Sequence, residues 1–171
     1  RISTQSTPEG VVTVIPFPAW PEDALQAGPA FVLDQIQDPG NLGTLIRTAD
    51  WFGLKGLICS SGTADWTNPK VLRSSMGSAF RLPLIYVDDL SAWLSQHPGR
   101  VVVADLDGEN ASNFDWQGNE WIVLGNEANG VSEAVRNLAG VQKVFIGGKG
   151  KAESLNVASA GAVLGYLVGS C

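Results

Sequence analysis

Hydrophobic residues in this chain alternate between short continuous runs and stretches where they recur every three or four positions. The runs are Phe31–Ile36, Leu57–Cys59, Leu84–Val87, Val101–Ala104, Trp121–Leu124 and Lys143–Ile146. Short apolar runs bounded by turn residues read as buried strands. Between them, Leu42, Leu45, Ile46, Ala49 and Phe52 fall at offsets 0, 3, 4, 7 and 10, the spacing of one helix face. Gly53 then reads as the glycine that ends this helix. Further helices are predicted over Asn68–Met76, Asp88–Gln96, Val131–Leu138 and Ser154–Val168. Asn68 before Pro69 is a helix-start signal. Strands alternating with helices predict an α/β fold, a mostly parallel sheet covered by helices on both faces.

The first thirty residues break this pattern. Ser6–Gly10 is turn-like, Val11–Ile15 has the composition of a short strand, and Pro16, Pro18, Pro21 and Pro29 resist regular structure. The predicted organisation is a linker over residues 1–30 and one folded domain over residues 31–171. A polar loop containing Asp107-Gly108-Glu109 is expected between the fourth and fifth strands.

Charge and cysteine content narrow the function. A net charge of −6 disfavours nucleic-acid binding by bulk electrostatics, and leaves local patches built from Arg47, Arg73, Arg81, Lys143, Lys149 and Lys151. Two cysteines and one histidine exclude a disulfide scaffold and a four-ligand Cys/His zinc site, so no metal is expected. Cys59 reads as a reduced core thiol, which suits the cytoplasm. His97, before Pro98, reads as a surface residue. The apolar run Leu155–Val168 is too short to cross a bilayer and is interrupted by Asn156 and Ser159, so no membrane partner is expected.

Three segments concentrate polar chemistry. Asp38–Gly43 leads to Arg47, whose guanidinium either forks a phosphate or pairs with Asp50 three residues on. Leu124-Gly125-Asn126-Glu127-Ala128-Asn129-Gly130 brings a carboxylate to a strand-to-helix turn, with Ser132 placed to cap the next helix. Gly125 is read as clearance for a ligand. Ile146 to Val157 joins three glycines and two lysines to Ser154 and Asn156 at the start of the last helix. This is neither a phosphate loop, because Ala152 follows Lys151, nor a dinucleotide fingerprint, because Glu153 stands where the third glycine belongs. The second and third segments are expected at the ends of neighbouring strands, where open α/β sheets bind ligands. The last helix is apolar nearly all round, with Ala158, Ala160, Gly161, Ala162 and Gly165 packing either inside the chain or against a second copy.

Taken together, Asn41-Leu42-Gly43-x-x-x-Arg47, Leu124-Gly125-Asn126-Glu127 with Gly130, and Glu153-Ser154-Leu155-Asn156-Val157 resemble the three motifs of the SpoU branch of the SPOUT methyltransferases, in the same order and spacing, from about Phe31 to Leu167. The resemblance implies transfer of a methyl group from S-adenosyl-L-methionine to a ribose 2′-hydroxyl of tRNA or rRNA. It also implies a C-terminal trefoil knot, a homodimer, and an RNA-binding domain ahead of this segment in many members. Arg47, Asn41, Glu127, Ser154 and Asn156 would be the catalytic residues, with Arg47 either taking the ribose proton or clamping a phosphate. Leu124, Gly125, Asn126, Ile146, Gly148, Ser154 and Leu155 would hold the cofactor. Gly147-Gly148 departs from the Pro-Met usual in the family at this point, which predicts a looser adenine side. That departure keeps one alternative, a non-catalytic RNA-binding or assembly protein on the same fold.

Overall fold

The computed structural model describes Thr7, residues 10–16 and residues 18–171. Its elements run β1 (Ala30–Asp34), α1 (Pro39–Trp51), β2 (Leu57–Ser60), α2 (Pro69–Ser75), β3 (Leu84–Val87), α3 (Leu90–Gln96), β4 (Arg100–Asn110), β5 (Glu120–Gly125), α4 (Glu133–Arg136), β6 (Gln142–Phe145) and α5 (Val157–Gly169). The strands form one sheet in the order β3-β2-β1-β5-β4-β6, and every pairing is parallel. The central strand β1 is buried throughout, as a strand covered on both faces must be.

Side-chain alternation along the strands builds two apolar layers. On one face Phe31, Leu33, Leu57, Cys59, Ile122 and Leu124 meet Leu42, Leu45, Ile46 and Ala49 of α1 and Leu164 and Val168 of α5. On the other, Val32, Ile58, Val103, Trp121 and Val123 meet Leu90 and Leu94 of α3 and Val135 of α4. The small residues of α5 serve this packing. A Cβ on Gly161 would collide with Leu45, and one on Gly165 would sit 3.1 Å from Phe52. The stripe therefore faces its own chain, and Val163 and Tyr166 on the same helix are exposed.

Helix α1 ends by backbone geometry. Gly53, at φ 73°, donates to Asp50 O, and Leu54 donates to Ala49 O at 2.9 Å. This paired closure is the Schellman arrangement that a glycine permits.

Several expectations need correction. Val11–Ile15 forms no strand; these residues have no regular structure and are exposed, Val14 at 93%. The turn expected over Ser6–Gly10 lies mostly outside the described residues. The Asp107–Glu109 stretch is not a free loop. Val144 of β6 pairs with both Ala104 and Glu109, so β4 pouches out residues 105–108 and then resumes its pairing. Gly108 makes this possible, because a Cβ there would collide with the backbone of Lys143 and Val144. Helix α4 is one turn, not the eight residues of Val131–Leu138. Helix α5 begins at Val157, since Asn156 is its cap and leaves Ser154 and Leu155 outside the helix. Finally, β5 and β6 are not neighbours; β4 lies between them.

Candidate active site

The carboxyl ends of β1 and β5 lie side by side, with Asp34 opposite Gly125. Beyond Asp34 the chain turns sharply at Gln35, a non-glycine residue at φ 59°. Its N–H donates to Ser60 Oγ at 2.8 Å. Asp38 then caps α1, accepting from the Asn41 N–H at 2.8 Å through one oxygen and from Lys70 Nζ at 2.9 Å through the other. The Lys70 hydrogen bond, followed by that of the Asn41 N–H, holds the Asp38 carboxyl below the usual carboxylate range. This cap fixes Asn41 in the first turn of α1.

The Leu124–Gly130 segment is held by Asn126. Its side chain is 8% exposed, and its polar atoms are engaged within the chain. Oδ1 accepts from the N–H groups of Ala128 (2.9 Å) and Asn129 (3.1 Å), and Nδ2 donates to Gln35 O at 3.0 Å. The backbones of Asn126 and Gly130 exchange two further hydrogen bonds, and the Ser132 N–H donates to Asp34 Oδ2 at 2.8 Å. Ser132 thus docks the turn onto β1 through its backbone and makes no side-chain cap. Gly125 also has a different reason from the one expected. A Cβ there would lie 2.6 Å from Gly130 O and closer still to the Gly130–Val131 backbone, so the glycine admits its own chain.

These anchors aim Glu127 at Asn41. Asn41 Nδ2 donates to Glu127 Oε1 at 2.7 Å, and Asn156 Nδ2 donates to Asn41 Oδ1 at 3.1 Å. Asn156 Oδ1 in turn accepts from the first N–H groups of α5, at 2.9 Å from Ala158 and 3.4 Å from Ser159. Three segments far apart in sequence therefore meet in one hydrogen-bonded chain.

Beside this chain opens a cleft of about 780 Å³, within the range of small-molecule sites. Of the expected cofactor-binding residues, Leu124, Gly125, Asn126, Ile146, Gly148, Ser154 and Leu155 all line it, together with Glu127 and Asn156. A Cβ on Gly148 would meet nothing within 4 Å, so this edge is open there, whereas one on Gly147 would lie 2.9 Å from Asn110 Nδ2. The cleft is also walled by Asp105 and Leu106 from the β4 pouch, which sequence reasoning missed. Their polar surroundings gave no apolar run, yet Leu106 is 73% exposed at the cleft. Asp105 is paired with Arg136 (2.9 Å) and Lys143 (3.4 Å). Desolvation pushes its pKa up, but the Asp107 N–H and those two cations outweigh it and hold the carboxyl low.

Arg47 is exposed on α1, and its side chain forms no ion pair or hydrogen bond among the described residues. The expected alternative pairing with Asp50 is excluded, because Asp50 accepts from Ser78 Oγ at 2.6 Å and from Arg81. Asn41 and Arg47 lie outside the cleft wall. Asn41 connects to it through Glu127 and Asn156.

The remaining candidates stand apart. His97 is half-buried rather than on the surface, stacked on Trp93 at 3.8 Å. Burial pushes the Cys59 thiol up to about 12, which keeps it protonated and inert. Among the described residues no group of three His, Cys, Asp or Glu side chains is placed to hold a metal ion. No described helix is long and apolar enough to cross a membrane.

A model of the SpoU rRNA Methylase family matches residues 29–166. The chain belongs to this family. It is 35% identical to the 23S rRNA (guanosine(2553)-2'-O)-methyltransferase RlmP of Bacillus subtilis, over 96% of this chain and 66% of that protein. It is 34% identical to a 23S rRNA (uridine(2479)-2'-O)-methyltransferase of Streptomyces viridochromogenes, over 93% and 59%. The chain thus spans about two-thirds or less of the length of these relatives. Among solved structures, the SpoU methyltransferase AviRb from Streptomyces viridochromogenes in complex with AdoMet superposes with a TM-score of 0.79 at 33% identity, covering 90% of this chain and 62% of that one. A putative RNA methyltransferase of the TrmH family from Porphyromonas gingivalis gives 0.82 at 35%, covering 98% and 68%. The parallel sheet with helices on both faces is the fold these family members share.

Proposed function

We propose that this protein transfers a methyl group from S-adenosyl-L-methionine to a ribose 2′-hydroxyl of rRNA or tRNA. The observation that carries this reading is the convergence of Asn41, Glu127 and Asn156 beside a cleft walled by the Leu124–Gly130 turn and the Ile146–Val157 segment. The cleft fits the donor. Leu124, Ile146, Leu155 and Leu106 offer apolar contact for an adenosine, and Glu127 and Glu153 set negative charge around the space for a sulfonium. When bound, the donor supplies an electrophilic methyl carbon. The chain's own part is placement: Leu124, Gly125, Ile146, Gly148, Ser154 and Leu155 hold the donor, and Asn41, Glu127 and Asn156 hold the ribose in line with the methyl group. Arg47, uncommitted within the chain, forks the phosphate next to that ribose.

The knot, the homodimer, a cytoplasmic setting and the division into a 1–30 linker and a 31–171 catalytic unit belong to the same reading. Exposed Trp51 (78%) and Tyr166 (61%) supply apolar surface for a second copy. The test is transfer of labelled methyl from S-adenosyl-L-methionine to unmodified 23S rRNA and tRNA transcripts, followed by nucleoside mass spectrometry. A 2′-O-methylated nucleoside is expected. Base methylation, or no transfer together with no calorimetric binding of the donor, would contradict the reading.

A further inference from the structure

The C-terminal corner of α2 lies outside the cleft and outside the three segments that converge beside it. Resting on the reading of the protein as an RNA methyltransferase, we propose that this corner docks single-stranded RNA next to the target nucleotide. Arg73 takes a backbone phosphate there, and Phe80 stacks an unpaired base.

The place of the corner follows from packing. Helix α2 and the 3₁₀ turn Ser78–Phe80 run alongside α1. A Cβ on Gly40 would lie 3.1 Å from Lys70 Cε, one on Gly43 would strike Ser74, and Asp50 accepts from Ser78 and Arg81. Arg47 stands four residues after Gly43 and three before Asp50, so it belongs to the same side of α1. Packed helices lie about 8–10 Å apart, so a strand gripped at Arg47 has this corner as its neighbour.

Charge favours a nucleic acid here, against the −6 of the whole chain. Arg47, Lys70, Arg73 and Arg81 gather along the seam, and the nearby carboxylates are already engaged. Asp38 accepts from Lys70, Asp50 from Ser78 and Arg81, and Asp65 from the Thr67 N–H and hydroxyl. Arg73 is exposed, and its side chain has no hydrogen bond or ion pair among the described residues. Arg81 uses Nε and Nη2 on Asp50, while its Nη1 lies over the turn, 3.6 Å from where a Cβ on Gly77 would stand. Two guanidiniums thus present free donors, the fork that suits a phosphate.

The same corner turns apolar side chains outward. Arg73 O accepts from the Met76 N–H at 3.3 Å, and Gly77 O accepts from the Phe80 N–H at 3.2 Å, so these residues share one tight bend. Met76 and Phe80 are both exposed on it. Phe80 is braced by the buried Trp66, edge to face at 6.1 Å, and the Trp66 N–H is itself fixed on Tyr86 Oη at 3.2 Å. A braced, part-exposed ring beside cations is how proteins hold unpaired bases with little regard to sequence. The apolar surface matched above to a second copy, Trp51 and Tyr166, belongs to α1 and α5 and not to this corner.

The test is binding of labelled, unmodified 23S rRNA and tRNA transcripts by the full-length protein, titrated across salt concentrations. Arg73→Ala should reduce the slope of log affinity against log salt by about 0.7, the share of one phosphate on a single strand. Phe80→Ala should weaken binding roughly 5–150-fold, the span of base–aromatic stacking, and leave that slope unchanged. Phe80→Tyr keeps a ring and should recover the affinity. Phe80 packs on Trp66, so circular dichroism must show its variants folded; Arg73 is exposed, and its variant reads docking independently of folding. At saturating RNA all three variants should transfer methyl within about twofold of the wild type, since the corner touches neither donor nor ribose. The proposal is overturned if Arg73→Ala leaves the slope unchanged, or if folded Phe80→Ala binds like the wild type. It is also overturned if either variant halves the sedimenting mass, which would make this surface a contact between copies. A wild type that binds RNA with an Arg73-dependent slope, yet neither binds S-adenosyl-L-methionine nor methylates the transcripts, keeps the docking surface and loses the methyl-transfer reading. One that binds neither transcript overturns both.

Discussion

Asn156 does two jobs with its two amide atoms, and substitutions can separate them. Oδ1 caps α5 at 2.9 Å from the Ala158 N–H, while Nδ2 donates to Asn41 at 3.1 Å. Asn156→Ala removes both. Loss of an N-cap costs about 1 kcal/mol. In a chain of this size that lowers the melting temperature by roughly 2–4 °C. Asn156→Asp keeps an acceptor for the cap and adds a negative charge at a helix N-terminus, worth about 0.3–1 kcal/mol in favour of the fold. The same substitution replaces a donor with an acceptor facing Asn41 Oδ1. Asn41 must then rotate or lose a partner, and its grip on Glu127 is disturbed. The Asp variant should therefore melt at or slightly above the wild type and yet transfer methyl at least about tenfold more slowly, the cost of roughly 1.4 kcal/mol in orientation. Thermal unfolding by circular dichroism and single-turnover transfer read the two effects independently. An Asp variant as active as wild type would refute a role for the Asn156–Asn41–Glu127 hydrogen bonds in transfer; one as unstable as the Ala variant would refute the capping role.

Three further outcomes follow from the geometry. Gly43→Ala should cost about 1–3 kcal/mol by overpacking, because its Cβ would strike Ser74 and lie 2.6 Å from Val71 O, where α1 and α2 touch; chemical denaturation measures this. Asp50 is held below the usual carboxylate range by Ser78 and Arg81, so its contribution is present above the unfolded value of about 3.9 and lost as pH falls through the folded value; Asp50→Asn should flatten the decline in stability below about pH 4 in acid titrations. Arg47→Ala should abolish methyl transfer while calorimetry still shows donor binding, since Arg47 lies outside the cleft wall.

Much of this architecture was legible from spacing alone. The offsets of Leu42, Leu45, Ile46 and Ala49 identified the buried face of α1, and Asn68-Pro69 marked the start of α2. The three polar segments were visible too, because each joins an apolar run to small or capping residues. Non-local geometry was not legible. Nothing local reveals that β4 separates β5 from β6, or that Val144 pairs twice and pushes Leu106 over the cleft. Gly125 was misread for the same reason: a glycine gives no sign of whether a ligand or its own backbone fills the space. Asn126, expected against the cofactor, lines the cleft and also binds Gln35 and its own turn through its side chain, a partnership 91 residues apart in sequence that nothing local reveals.

The central claim is that the donor lies between the Leu124–Gly130 turn and the Ile146–Val157 segment, with its reactive methyl facing Glu127. A crystal structure of the protein with S-adenosyl-L-methionine measures this directly. The account predicts the adenosine against Leu124, Ile146 and Leu155 and the sulfonium beside Glu127 and Asn156. Density for the donor in the smaller hollow across the sheet, lined by Asp34, Ser60 and Asp88, would contradict it.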